Sequence, residues 1–450
     1  MIYINKLIKA IKQYYQIKKI NILDINLELI IQDYIFNNTN MSLLSYINSL
    51  LIFDIPKFDH NNKRDEFYRL QCDKINISDI NYTNKWNQYK KIESLPQPEQ
   101  KSPLWFEMRN NFITASAGAQ AIGESKYEKP IELIKQKIGL GKPFGENSNV
   151  HHGKKFEKIA ILIYENIYNN KVGEFGLIPH ISEPQISFLG ASPDGICTCS
   201  TLDGKFSSMV GRMLEIKCVT SRKINTSGDE DGVICPHYYW VQVQLQLECC
   251  DLEECDFWQC KLKDYWSVST WQDVIEEYEL EENSWKYTEQ QNRIKKIDNK
   301  LTYGTLIELL PLAIEIPQDH KIEWYGKYIY PIDLTNSIQD KINWAQDMKL
   351  TWKEKYPEYA KEYKFGRILY WHLEQSHCYL IQRDRAWFAN NLYKFQAFWD
   401  QVEKYKNDPI AKQQLIDEIA REENKKQERL SIKKNIVNKT CDQMFDSDSD

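Results

Sequence analysis

The sequence predicts a mixed α/β fold: a central mixed sheet flanked by helices, with a helical N-terminal region and an insertion. Three observations lead there. Met213-Leu214-Glu215-Ile216-Lys217-Cys218-Val219 alternates apolar and polar residues, the period of a strand. Phe156, Ile159, Ala160, Ile163 and Ile167 recur at helical spacing. Phe388, Leu392, Phe395, Trp399 and Val402 form one stripe of a long amphipathic helix that covers a core.

Around these elements the chain divides by composition. Residues 1–94 read as a helical accessory region, with Leu27, Ile30, Ile31 and Tyr34 at helical spacing. Leu95-Pro96-Gln97-Pro98-Glu99-Gln100 reads as an extended linker, because its prolines hold the chain out of helix. The linker opens the core segment, 95–270. Residues 271–364 read as an insertion or subdomain that starts with an acidic stretch. Residues 365–408 close the core with two short strands, Ile368 to Leu373 and Cys378 to Gln382, and the amphipathic helix. Residues 409–450 form a charged tail, and its end, Asp446-Ser447-Asp448-Ser449-Asp450, is expected to be disordered.

The whole chain bounds the function. Its 450 residues are 42% hydrophobic, enough for real cores, yet contain no apolar run of membrane-spanning length. No secretory signal pattern opens the chain, so an intracellular soluble protein is expected. Its 11 cysteines include Cys197 and Cys199 as C-x-C but no pair of C-x-x-C knuckles, so reduced thiols are the expectation. A structural metal site would need four of them to meet, for example Cys197, Cys199, Cys235 and Cys260. The net charge of −6 does not announce a nucleic-acid binder. It does not exclude one, because phosphate contacts need a local basic surface rather than a basic average.

Five segments carry chemistry. On the 213–219 strand, Glu215 and Lys217 share one face, so a carboxylate and an ammonium project side by side. Leu189-Gly190-Ala191-Ser192-Pro193-Asp194-Gly195 follows a strand-like stretch, and Asp203-Gly204 offers the turn of a hairpin that brings Asp194 beside Glu215. His151 to Glu157 opens the helix with the Phe156 stripe, which places Glu157 in its first turn or two. Three carboxylates, Glu157, Asp194 and Glu215, make a hard oxygen set suited to Mg²⁺ or Mn²⁺. Such an ion polarises a phosphodiester oxygen and lowers the pKa of bound water, while Lys217 holds that water and balances developing charge. A helix after the strand presents Tyr238, Gln242 and Leu245 on one face, where Gln242 can orient the water or a phosphate. Finally, Trp105, Met108 and Phe112 form a core stripe. Arg109 beside it and Ser116, read as the cap of the next helix, suit an anion pocket.

In this order the motifs resemble the phage lambda exonuclease family, also called YqaJ-like viral recombinases, within the PD-(D/E)XK nuclease superfamily. The resemblance rests on W-x(3)-R-x(3)-I-T-A-S (Trp105 to Ser116), H-G-x-x-F-E (His152 to Glu157), G-A-S-P-D-G (Gly190 to Gly195), L-E-I-K (Leu214 to Lys217) and Y-x-x-Q-V-Q (Tyr239 to Gln244). The segment Arg383-Asp384-Arg385-Ala386-Trp387-Phe388 resembles one that closes this domain in members from large DNA viruses. The resemblance implies a restriction-endonuclease-like core and a Mg²⁺-dependent 5′-to-3′ exonuclease on double-stranded DNA. Glu157, Asp194 and Glu215 would be its acidic centre, Lys217 its catalytic lysine and Gln242 its assisting glutamine. Arg109 and Ser116 would bind the 5′-phosphate. It also implies DNA ends as partner, a single-strand annealing protein as possible second partner, a homo-oligomer, and, for a viral member, the host cytoplasm or virion as location. A structure-specific endonuclease on the same core is the second reading. A DNA-binding or virion protein with an inert core is the third, and the intact Asp194, Glu215 and Lys217 argue against it.

Overall fold

The architecture was read from a computed structural model, which describes residues 71–95, 97–98, 100, 103–141, 148–180, 186–280, 287–290, 293–313, 327–421 and 424–425. The expected helical spacing at Leu27 to Tyr34, most of the 1–94 region, and the acidic end of the chain lie outside these residues.

In chain order the elements are α1 (Ile80–Ser94), α2 (Pro103–Arg109), β1 (Ile113–Thr114), α3 (Pro130–Lys137), α4 (Ser148–Tyr168), β2 (Val172–Gly173) and β3 (Ile178–Pro179). There follow β4 (Leu189–Ala191), β5 (Gly195–Cys197), β6 (Met213–Cys218), α5 (His237–Cys250), β7 (Glu254–Tyr265) and α6 (Val268–Leu280). A small ribbon of β8 (Tyr287–Gln290) and β9 (Arg293–Lys296) precedes β10 (Tyr303–Pro311), β11 (Lys327–Ile329), α7 (Ile338–Lys355), β12 (Tyr363–Gln382) and α8 (Arg385–Asn407).

The central sheet runs β11-β10-β12-β7-β6-β5-β2. It is mixed: β6 pairs parallel with β7 across the α5 crossover, and β5, β12 and β10 pair antiparallel. Period two divides β6 between two layers. Leu214 and Ile216 pack with Phe156, Ile159 and Ile163 of α4 and with Trp258 and Trp371. Met213 faces the other way, toward Val241 and Leu245 of α5, Phe257, and Phe388 and Phe395 of α8. The sheet is thus a layer between helices, as the sequence predicts. Phe156, Phe257 and Trp258 are wholly buried, each contributing about 1.5–3 kcal/mol through apolar area removed from water. Glu215 and Lys217 share the parity of Met213, so the chemistry lies on the α5 face.

Three sequence expectations are corrected by the fold. The two short strands expected at Ile368 to Leu373 and Cys378 to Gln382 are one strand, β12, with a register shift between Leu373 and Gln375. Leu369, Trp371 and Leu373 face the α4 layer before the shift, and Cys378 faces it afterwards. One extra residue flips the alternation, which is why the pattern looks like two strands. Strands β10 and β11, from within 271–364, extend the same sheet. The linker is also anchored. Gln97 Oε1 accepts the Gly176 amide at 2.6 Å, and Gln100 Nε2 donates to the carbonyls of Phe175 and Pro193 at 2.9 and 3.0 Å.

Second, helix α4 starts at Ser148 and runs through Gly153, so Glu157 sits in its third turn rather than its first or second. Gly153 is an ordinary helical residue, and a Cβ there meets nothing within 4 Å. Gly153→Ala is therefore expected to stabilise the protein by about 0.5–1 kcal/mol, by lowering unfolded-state entropy. A rise in thermal midpoint checks it; a fall would mean that the glycine serves a contact made only in a complex. The third correction concerns Ser116. It lies in a 3₁₀ turn, Ala115–Ala117, and the four-residue helix that follows has Ala117 at its N-cap, without a side-chain cap bond. Among the described residues, no helix is long and apolar enough to cross a membrane.

Candidate active site

The site gathers where β4, β5 and β6 meet the first turns of α5. Asp194 closes the loop between β4 and β5, and β5 pairs antiparallel with β6 through Gly195 and Leu214. Gly195 is needed for proximity, since a Cβ there would stand 2.2 Å from Val172 Cγ1. The pairing delivers Asp194 Oδ2 to the backbone N–H of Ile216 at 2.7 Å, between Glu215 and Lys217.

Glu215 is buried, 1% exposed at its side chain, and both its oxygens are engaged. Lys217 Nζ donates to Oε1, as does Gln242 Nε2 at 2.8 Å, and Gln246 Nε2 donates to Oε2 at 2.7 Å. The ammonium and two amides give this buried carboxylate the polar partners that offset its removal from water. Gln246 was missed by the sequence reading. It lies four residues after Gln242, on the same helical face, and that spacing is the signal that could have found it. Gln244, within the quoted Y-x-x-Q-V-Q motif, points elsewhere. It donates to the Gln382 carbonyl at 2.9 Å and accepts from the Asp384 N–H at 2.7 Å, tying α5 to the junction of β12 and α8.

The charge of a third carboxylate is felt at Asp194. Burial, then the charges of Glu215 and Glu157, push the Asp194 carboxyl well above its ordinary value, against the pull of Lys217 and the Ile216 amide. Glu157 lies on α4, in the other layer. Lys217 shows the reverse balance: burial alone would lower it, but Glu215, Tyr239 and Asp194 hold the ammonium above its ordinary value. It is therefore a fixed positive charge at neutral pH. Among the described residues, no three His, Cys, Asp or Glu side chains converge in ion-holding geometry. The mutual repulsion of three acids around Asp194 is nonetheless the environment that a divalent cation relieves. The cysteines offer no such charge: Cys197, Cys199, Cys235 and Cys260 are buried free thiols, and burial pushes Cys197 up to about 12.

A second polar group stands beside the first. Arg109 ends α2, its guanidinium 4.3 Å from the Trp105 ring centroid. It donates to Thr114 Oγ1 at 3.4 Å and Ser116 Oγ at 3.3 Å, and among the described residues no carboxylate pairs with it. Burial lowers it to about 10, which leaves it charged at neutral pH. Lys137 Nζ donates to the Arg109 carbonyl, and Lys406 Nζ to that of Asn110 at 3.2 Å, so the turn after α2 is pinned from α3 and α8. Thr114 was also missed. It precedes Ser116 by two residues, which turns both hydroxyls toward Arg109. Ser192 joins the two groups: its hydroxyl accepts from Trp105 Nε1 at 3.0 Å and its carbonyl from Gln246 Nε2 at 3.4 Å.

A helix-borne Glu, a strand-end Asp and a strand Glu-x-Lys around one mixed sheet are the arrangement that the sequence motifs lead one to expect of a PD-(D/E)XK-type domain. Residues 104–253 match the model of the YqaJ-like viral recombinase domain. An uncharacterized protein of Acanthamoeba polyphaga mimivirus is 37% identical over 319 residues, 70% of this chain and 54% of that protein. The chain thus spans about half the length of the curated relative it matches. Two crystal structures are similar at 18% identity: LHK-Exo in complex with dAMP, at a TM-score of 0.36, and an alkaline exonuclease (LHK-Exo) from Laribacter hongkongensis, at 0.34. Each covers 70% of this chain and 100% of its own.

Proposed function

We propose that this protein is a divalent-metal-dependent deoxyribonuclease that digests double-stranded DNA from its ends, 5′ to 3′, in recombination or DNA end processing. The observation that carries the reading is Glu215, buried and bonded by Lys217, Gln242 and Gln246, with Asp194 bonded to the amide between Glu215 and Lys217. The YqaJ-like domain match covers all of these residues.

Asp194, Glu215 and Glu157 would hold the cation. When bound, Mg²⁺ or Mn²⁺ supplies Lewis-acid polarisation of a phosphodiester oxygen and acidifies a water. The protein's own residues do the rest. Lys217, kept protonated, stabilises charge that develops on the scissile phosphate; it is too strongly held as an ammonium to act as the base. Gln242 has a second amide hydrogen and a carbonyl beyond its bond to Glu215, and these orient the attacking water. Arg109, Thr114 and Ser116 form an anion pocket, and Ser192 couples it to the acidic cluster. A terminal 5′-phosphate held there sets the next phosphodiester at Asp194 and Glu215, which gives the polarity.

Linear duplexes bearing a 5′-phosphate or a 5′-hydroxyl, with covalently closed circles as control, test the reading. The phosphorylated end is expected to be digested faster, and the circle not at all. Arg109→Ala should shrink the preference for the phosphate by about 10-fold or more, because a charge-assisted contact is lost. Equal rates on both ends in the wild-type protein would refute the polarity. Cleavage of the circle would replace the exonuclease with a structure-specific endonuclease.

A further inference from the structure

Lys217 does not end the polar surface of the site; it begins a row of rings. Its Nζ stands 4.3 Å from the Tyr239 centroid. Tyr239 and Tyr238, in the first turn of α5, have centroids 4.2 Å apart, and Tyr238 meets Tyr127 edge-on at 5.4 Å. Tyr127 is 68% exposed, so the row runs from the catalytic lysine out to solvent. Cations flank it. Lys126 Nζ lies 4.9 Å from the Tyr127 centroid and 5.7 Å from that of Tyr238, and the Arg222 guanidinium lies 6.0 Å from that of Tyr239. Among the described residues, neither Lys126 nor Arg222 pairs with a carboxylate; Arg222 donates to Gln259 Oε1 at 2.7 Å.

Local structure presents Tyr127 deliberately. Gly123, at φ +78°, ends the short helix after the 3₁₀ turn in a left-handed conformation. The loop then runs to Pro130 at the start of α3, and the Ser125 hydroxyl accepts the Tyr127 amide at 3.2 Å. An exposed ring held by its backbone, two cations without a carboxylate partner among the described residues, and two half-buried rings that also pack on the core thus lie in one row. Successive aromatic faces beside positive charge are what single-stranded nucleic acid uses, with bases on the rings and phosphates on the cations.

We propose that Tyr127, Tyr238 and Tyr239, with Lys126 and Arg222, form a stacking platform for unpaired DNA nucleotides next to the scissile bond. The proposal deepens the nuclease reading and rests on it. The platform lines up the strand that Lys217 meets.

Fluorescence anisotropy in EDTA tests it, with one labelled duplex in two forms: blunt, and with a ten-nucleotide thymidine extension. The wild-type protein is expected to bind the extended form more tightly. Tyr127→Ala should reduce that ratio of affinities about 10-fold, the scale of one lost base–ring stack, and Tyr127→Phe should restore it. Tyr393→Ala, at an exposed tyrosine on α8, serves as control and should leave the ratio alone. An unchanged ratio in Tyr127→Ala, or an equal change in Tyr393→Ala, overturns the platform. If the wild-type protein still digests blunt duplex with Mg²⁺ in that case, the nuclease reading stands without it. If the wild-type protein neither binds nor cuts either form, both fall together.

Discussion

Asp194→Asn abolishes DNA cleavage and yet raises the melting temperature of the metal-free protein at neutral pH; this is the expected result. Asn keeps an oxygen for the Ile216 amide, bonded at 2.7 Å in the wild type, so the fold survives. What disappears is a carboxylate forced to ionise beside Glu215 and Glu157. Its value is raised well above the ordinary 3.8 in the folded state, so the native protein binds the proton more tightly than the unfolded chain. Stability then falls as pH rises from the unfolded value toward the folded one, and stays reduced above it. The Asn side chain is neutral throughout and escapes this loss. Thermal melts in EDTA should therefore show the variant ahead at pH 7.5, with the gap closing near pH 4. Adding Mg²⁺ should raise the midpoint of the wild type and not of the variant. A variant that cleaves at the wild-type rate would remove Asp194 from the centre. A variant that melts lower in EDTA would mean that its charge is paired rather than strained.

Lys217→Ala carries the second large effect. The ammonium is held between Glu215, Tyr239 and Asp194, and it is charged across the neutral range. Under the proposed function, removing it takes away a pre-positioned positive charge at the scissile phosphate. Single-turnover cleavage at saturating DNA should slow on the order of 10²-fold or more. DNA affinity should change far less, since Arg109, Lys126 and Arg222 remain. Glu215 would keep Gln242 and Gln246 but lose its cation while 1% exposed, so a lower thermal midpoint should accompany the slower rate. Lys217→Arg separates the two consequences: it restores charge and stability but not the geometry, and the rate should recover only in part. A wild-type single-turnover rate in Lys217→Ala, with binding alone impaired, would contradict the assigned role.

Much of this site could be read before any coordinates, because it is written in local periods. Alternation at Met213 to Val219 places Glu215 and Lys217 on one face and predicts the strand that the fold contains. The helical stripe from Phe156 puts Glu157 on a helix, and the Pro-Asp-Gly loop with its hairpin sets Asp194 against Glu215. Each of these depends on residues within a few positions of one another, or on one pairing between neighbouring strands.

The remainder depends on contacts distant in sequence. Whether Gln242, Gln244 or Gln246 reaches Glu215 is decided by which face of α5 packs toward β6, and two of the three do. The helix start near Gly153 misleads because glycine ends helices only where its backbone turns, and here it does not. β12 reads as two strands because a bulge inverts its alternation, which shows only once β7 and β10 lie on either side. The anion pocket joins Arg109 to Thr114 and Ser116 through a turn pinned by Lys137 and Lys406. Chain order and the strand bearing Glu215 and Lys217 follow from local pattern alone, since side-chain period is a property of the backbone. Which amides hold Glu215, and that three tyrosines lead away from Lys217, follow from the packing of layers, because burial and proximity do not belong to spacing along a chain.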